Sequence, residues 1–342
     1  MSAATIERTW RGSAVVRVAP WAAGAWTLAF GVLSALALLG RTPDPWVPEA
    51  ASALGGLSGG QMSGLLAVIA LLALVAGAFA ARLREGGRGA REARCAGSLL
   101  IALGLITALV VSDVRALMFL GYLPQTLLAL IGVGPAAGHL NWDIFIGSGT
   151  ALAHTVGGLA MVLTGIGLLR RAAPEGRLDW SRWVRWGRPA VAVAIVVPLL
   201  YATTRIAWAL DVPLGVSAES LDGLGSGRWA GLGLALAAVG GAALTWGLVA
   251  RWGEVLWTWV PRIGGRPIPV AMALVPGILV AAAVFSGGLS FWRMLIADEL
   301  WTVPGQMSDW GAWGPETLWP LWGVALAVAC LAYLGRRTAV RA

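Results

Sequence analysis

Long runs of apolar positions separated by short polar loops dominate this chain. An α-helical membrane span needs about 20 predominantly apolar residues. Eight segments reach that length: Val18–Gly40, Gln61–Ala81, Cys95–Val114, Gly147–Leu169, Pro189–Leu210, Trp229–Ala250, Pro269–Ser290 and Thr317–Leu334. A ninth apolar stretch, Ala116–Gly134, is interrupted by Gly121, Pro124 and Gln125, which suits a re-entrant or interfacial helix better than a span. The pattern therefore predicts an all-α, polytopic membrane protein with about eight transmembrane helices.

Charge placement orients these spans. With eight crossings, the N-terminus, residues 82–94, 170–188 and 251–268, and the C-terminal tail share one side. That side holds 20 of the 25 arginines and six acids, a net +14. The other side holds five arginines and eleven acids, a net −6. The positive-inside rule then places both termini in the cytoplasm. A ninth span would put the arginine-rich segment RRAAPEGRLDWSRWVRWGR outside, which argues for eight.

Composition agrees: 58% hydrophobic, 12% charged, with a mean hydropathy of +0.76. The pI near 11 does not imply nucleic acid, because the basic residues lie in short runs between apolar stretches instead of on one soluble face. Every basic residue is arginine, which excludes a Schiff-base lysine and a P-loop lysine. The polar N-terminus contains Glu7, and no convincing cleavage site follows the first apolar run, which is expected to be a retained span. Cys95 and Cys330 are too distant in sequence for a CxxC motif and are expected to be small buried residues. No GxSxG, HExxH or Walker motif occurs, so an integral ATPase, kinase or zincin is set aside. No cofactor is expected.

The chain divides near Asp179 into halves of similar layout, 1–178 and 179–342, each with four spans. A Gly-rich outer loop follows the first span of each half, ASALGGLSGGQMSG and SAESLDGLGSGRWAG, and each fourth span ends in an arginine pair. Four spans per half would make the repeats parallel, with a site expected at their interface.

Ionisable residues within spans cost ~2.5–3.5 kcal/mol at the helix centre, so they mark function or compensation. Arg115, Arg205 and Arg293 oppose the inside bias near outer span ends, beside Asp113, Asp211, and Asp298 with Glu299. One reading is an outward-facing vestibule for an anionic group; the other is ion pairs that lock the bundle. Asp113 and Arg115, two apart, would point to different faces of an ideal helix, so their partners are expected from other helices. His139, Asp143 and His154 offer a thin metal, haem or proton-relay signature, against the commoner fate of a structural histidine. Twenty tryptophans are expected mainly as interfacial anchors, with an outer cluster over Trp301, Trp310, Trp313, Trp319 and Trp322 dense enough to cap a vestibule. LDWSRWVRWGR reads as an amphipathic surface helix on anionic lipid.

The segments APWAAGAWTLAFGVLSALALLGR and RWGEVLWTWVPRIGGRPIPVAMALVP resemble Ala/Arg/Trp-rich multi-span membrane proteins of high-GC Gram-positive bacteria, over about a seventh of the chain. The resemblance implies an integral plasma-membrane protein and carries no activity or functional residue. Three functions stay open. The first is a permease-like or transport-associated protein with a charged outer vestibule for a small anionic or amphipathic ligand. The second is a membrane enzyme using His154, His139 and Asp143 on a lipid or small substrate. The third is a sensor, immunity or assembly subunit. The expected partners are the bilayer, such a ligand and other subunits, and not nucleic acid.

Overall fold

The computed structural model describes residues 14–49, 52–82, 89–132, 142–172, 180–262, 264–297 and 309–338. Among the described residues the regular structure is helical, with one isolated antiparallel bridge between Val255 and Pro267. The first group contains α1 (Ala14–Leu38), α2 (Gly59–Arg82), α3 (Ala90–Ile106), α4 (Val114–Leu130) and α5 (Trp142–Ala172). The second contains α6 (Gly187–Ala209), α7 (Ala218–Gly223), α8 (Gly227–Gly247), α9 (Val270–Ile296), α10 (Gly314–Thr317) and α11 (Trp319–Thr338). Eight of these helices are long and apolar enough to cross a membrane, counting α3 together with the π-helical turn Thr107–Val111 that extends it. They coincide with the eight expected spans to within a few residues at each end. The chain is an integral, multi-span membrane protein.

Large apolar side chains such as Trp21, Leu71, Phe79, Val196 and Leu244 are exposed, as lipid-facing positions require. The interior combines small residues and buried hydroxyls with larger side chains such as Met62, Leu66, Met161 and Tyr333. The packing order is alike in both groups: the first span packs on the second and the fourth, and the third packs on the fourth. Substantial contact between second and third spans is confined to the first group. The groups meet where α9 packs on α4, on the π turn and on α5.

Glycines set how closely third and fourth spans approach. A Cβ added at Gly97 would lie 2.9 Å from the Gly165 carbonyl oxygen, and one added at Gly158 would lie 2.6 Å from the Ala108 nitrogen. Gly97 faces Gly165, and Gly104 faces Gly158 two turns along, so α3 and α5 touch backbone to backbone at two levels. In the second group, a Cβ on Gly323 would lie 2.7 Å from the Ala281 carbonyl, and Gly277 faces the Cys330 sulfur.

Three expectations change. Cys330 is buried against Gly277, but Cys95 is exposed on α3. Residues Ser181–Trp186 form a single 3₁₀ segment that runs directly into α6 and packs on α11, with Arg182, Arg185 and Trp186 exposed; it is no separate surface helix. Trp319 is no interfacial anchor: it is buried between Tyr201 and Phe291, with ring centroids at 5.9 and 5.4 Å. The stretch expected to re-enter or lie at the interface is the 17-residue α4, shorter than the spans and packed across the junction on α5 and α9.

Candidate functional site at a broken helix

The third span does not end in solvent. Its last turn widens over Thr107–Val111, and the backbone then extends at Ser112 (ψ 160°) before α4 starts. The Thr107 hydroxyl donates back to the Leu103 carbonyl (2.8 Å), and the Ser112 amide reaches the Thr107 carbonyl (3.1 Å), one residue wider than an α-turn. Asp113, at φ −139°, is the N-cap of α4: its carboxylate accepts from the Arg115 amide (3.0 Å). Asp113 suits this break because its carboxylate bonds a backbone amide that the start of α4 leaves open.

Both residues are buried, and the polar groups of both side chains have partners. The Ser112 hydroxyl bonds the Ala151 carbonyl (3.0 Å) and the Thr155 hydroxyl (2.8 Å) on α5. Ser286 of α9 donates to the Ser112 carbonyl (2.6 Å), so the second group satisfies an acceptor released by the break in the first. Non-helical backbone at membrane depth is tolerated where protein encloses it in this way.

Arg115 turns back over Asp113. Its Nε lies 3.0 and 3.1 Å from the two carboxylate oxygens, and Nη2 lies 2.6 Å from Oδ2 and 3.0 Å from the Val47 carbonyl. Glu49 Oε2 is 3.6 Å from Nε, and the Glu49 amide donates to Asp113 (3.3 Å). The expectation that Asp113 and Arg115 find separate partners is thus corrected. The rule for neighbours two apart applies inside a helix, and Asp113 stands outside one. Arg115 also belongs to the first turn of α4, beyond the third span, whereas Arg293 lies in the last turn of the continuous α9.

The guanidinium lies 4.2 Å above the Trp46 ring. On the inner side of that ring sits His154, fully buried, with Trp46, Phe30 and Trp26 centroids at 4.8, 4.4 and 5.6 Å. Trp26 Nε1 donates to His154 Nδ1 (3.2 Å). An indole N–H only donates, so Nδ1 is the acceptor and the imidazole proton rests on Nε2. A line of contacts thus runs from Asp113 through Arg115 and Trp46 to His154 and Trp26.

Arg205 builds a second cluster from other partners. It pairs with Glu316, donates to the Gly311 carbonyl (2.7 Å) and Thr204 hydroxyl (3.1 Å), and lies 4.6 and 4.2 Å from the Tyr201 and Trp208 rings. Burial pushes the Glu316 carboxyl up to about 7, and the opposing pull of Arg205 does not cancel it. Asp309, also buried, accepts from the Ser217 amide (2.8 Å) and the Ser220 hydroxyl (2.6 Å). Asp211, the acid beside Arg205 in sequence, is not its partner: it has a positive φ of 60° past the end of α6 and pairs with Arg228 at the surface.

The structure therefore joins Asp113, Arg115 and His154 into one cluster and places Arg205 in another, with no partner shared. Asp143 is exposed in the first turn of α5, and Arg293 is half-buried on α9. His139, Asp298, Glu299 and Trp301 lie outside the described residues. Among the described residues, no three of His, Cys, Asp and Glu gather as metal ligands. Sequence reading missed Trp46, Ser112, Thr155, Ser286 and Glu316. Of these, Ser112 alone carried a local signal, the Ser-Asp pair ahead of a second apolar run. No known protein family, curated protein or solved structure matches the chain.

Proposed function

We propose that the protein is a permease-like carrier of a small amphipathic solute, with the break at Ser112–Arg115 as its binding element. One observation carries this reading: the third span ends in a π turn and an extended Ser-Asp joint, bearing a buried carboxylate and a guanidinium, where the two groups of spans meet. Discontinuous helices at repeat interfaces are where membrane carriers commonly hold substrate, because unwound backbone offers polar groups that a continuous helix keeps for itself. The like packing order and glycine-closed third–fourth pairs support reading residues 1–178 and 179–342 as parallel repeats. The charge asymmetry supports a cytoplasmic basic end, with the break toward the outer face of the membrane.

Charge balance narrows the solute. Arg115 faces Asp113 at hydrogen-bond distance and Glu49 nearby, so the site is not net positive. A polar or zwitterionic head fits that balance better than a free anion. An acid–base role for His154 is disfavoured, because it is sealed among three aromatic rings and has no path to a substrate.

The test is uptake and binding by purified protein in proteoliposomes, with lysophosphatidylcholine, short-chain carboxylates and inorganic phosphate as probes. Uptake of the amphiphile, reduced more than tenfold in Arg115→Gln at a nearly unchanged melting temperature, is the expected result. No uptake or binding of any probe, or full uptake by the variant, rejects the proposal.

A further inference from the structure

At the basic end, away from the break, an apolar groove separates the two groups. It encloses about 480 Å³, between α1 and α5 on one wall and α9 and α11 on the other. Ala19, Leu163, Ile278 and Leu331 are among its lining residues, and among the described residues Arg170 is the one charged residue that lines it. Arg170 lies 5.9 Å from the ring of Trp180, which also lines the groove. Around this end, Arg17, Arg171, Arg182 and Arg185 are exposed.

We propose that this groove is a binding site for one anionic phospholipid, with an acyl chain between the groups and the phosphate at Arg170 and Trp180. This goes beyond the carrier reading and does not depend on it. The volume lies within the range of ligand-sized clefts. The apolar walls leave hydrocarbon as the matching filler in a membrane. The surrounding guanidiniums supply the complementary charge for a headgroup, as basic pockets between membrane helices do. Tryptophan at the same level suits the boundary between headgroup and chain. A zwitterionic lipid would fill the walls equally well and gain nothing from the arginines.

Gly167 lines the groove, and a Cβ added there meets no atom within 4 Å, so a large side chain can enter the groove without breaking helix contacts. The experiment is native mass spectrometry of the purified full chain in an equimolar phosphatidylglycerol and phosphatidylcholine mixture, with melting temperatures measured in each lipid. One retained phosphatidylglycerol, at least fivefold preferred, is expected for the native chain and for Gly167→Ala. Gly167→Trp and Gly167→Leu should lose the retained lipid while melting close to the native chain without lipid. Arg170→Gln should keep a bound lipid but lose the preference. Equal retention of both lipids, or unchanged phosphatidylglycerol retention in both large Gly167 variants, overturns the site. An equal thermal shift with inorganic phosphate alone would assign it to a free anion. Phosphatidylglycerol binding that appears only after removal of residues 1–12 would assign the groove to the chain's own N-terminus.

Discussion

The Arg115 and Arg205 clusters use the same parts, a guanidinium stacked on tryptophan and paired with a buried carboxylate, but are assembled differently. Arg115 takes its carboxylate from two residues back, at a helix start, and leans on one adjoining loop. Arg205 takes its carboxylate from 111 residues away and ties α6 to the segment that leads into the last span. A local pair survives relative motion of the helices around it; a distant pair resists it. Arg205 ties the second group together, whereas the partners of Arg115 all come from the first group.

The largest expected separation between them is in stability. Arg205→Ala removes the guanidinium partner of the buried Glu316, which must then take up a proton or stand charged and unpaired, at a cost of ~3–5 kcal/mol. Arg115→Ala is expected to cost only ~1–2 kcal/mol, because Asp113 retains the Glu49 and Arg115 amides as donors. Denaturant unfolding in detergent measures both; equal losses would erase the distinction.

Next in size is pH dependence. Glu316 has a folded pKa of about 7 against an ordinary 4.5, so the folded state holds the extra proton between these values. Stability should therefore fall as pH rises from about 4.5 to 7 and level off above, by up to ~3 kcal/mol. Glu316→Gln should flatten that slope, and Asp113→Asn should leave it in place. A slope that survives in Glu316→Gln would place the titrating group elsewhere.

The smallest expected effects are at the break. Asp113→Ala removes an N-cap and a charged partner, at ~2 kcal/mol, and Ser286→Ala removes one bond across the groups, at ~1 kcal/mol. If Ser286→Ala also alters solute binding while Arg205→Ala, assayed under stabilising conditions, does not, the two clusters differ in role as well as strength.

The eight spans were legible because length and apolarity alone decide them, and lipid removes the ambiguity that soluble helices carry. Charge counting identified Arg115, Arg205 and Arg293 as opposing the inside bias. Their partners were not legible. The Ser-Asp sequence in VVSDVR reads equally as the end of a span or as a joint within one; the apolar α4 beyond it and the hydroxyls of Thr155 and Ser286 decide the matter. Glu316 lies in the short helix α10, far from α6 in sequence, and the packing of α10 on α6 accompanies its burial. Proximity in sequence suggested Asp211 for Arg205; the end of α6 sends Asp211 outward instead.

The glycine contacts between α3 and α5 stop just short of the break, with a mechanical consequence. Below Gly104 the two helices behave as one stiff beam, since their backbones already touch. Above Val111 the beam is jointed: no helical hydrogen bond crosses Ser112–Asp113, so α4 can tilt against α3 without bending either helix. Across that joint, the hydroxyl of Ser286 couples the tilt to α9. Amide hydrogen exchange should reveal the joint as faster exchange over 110–115 than over 97–104. Uniform protection along the whole stretch would mean the joint is locked.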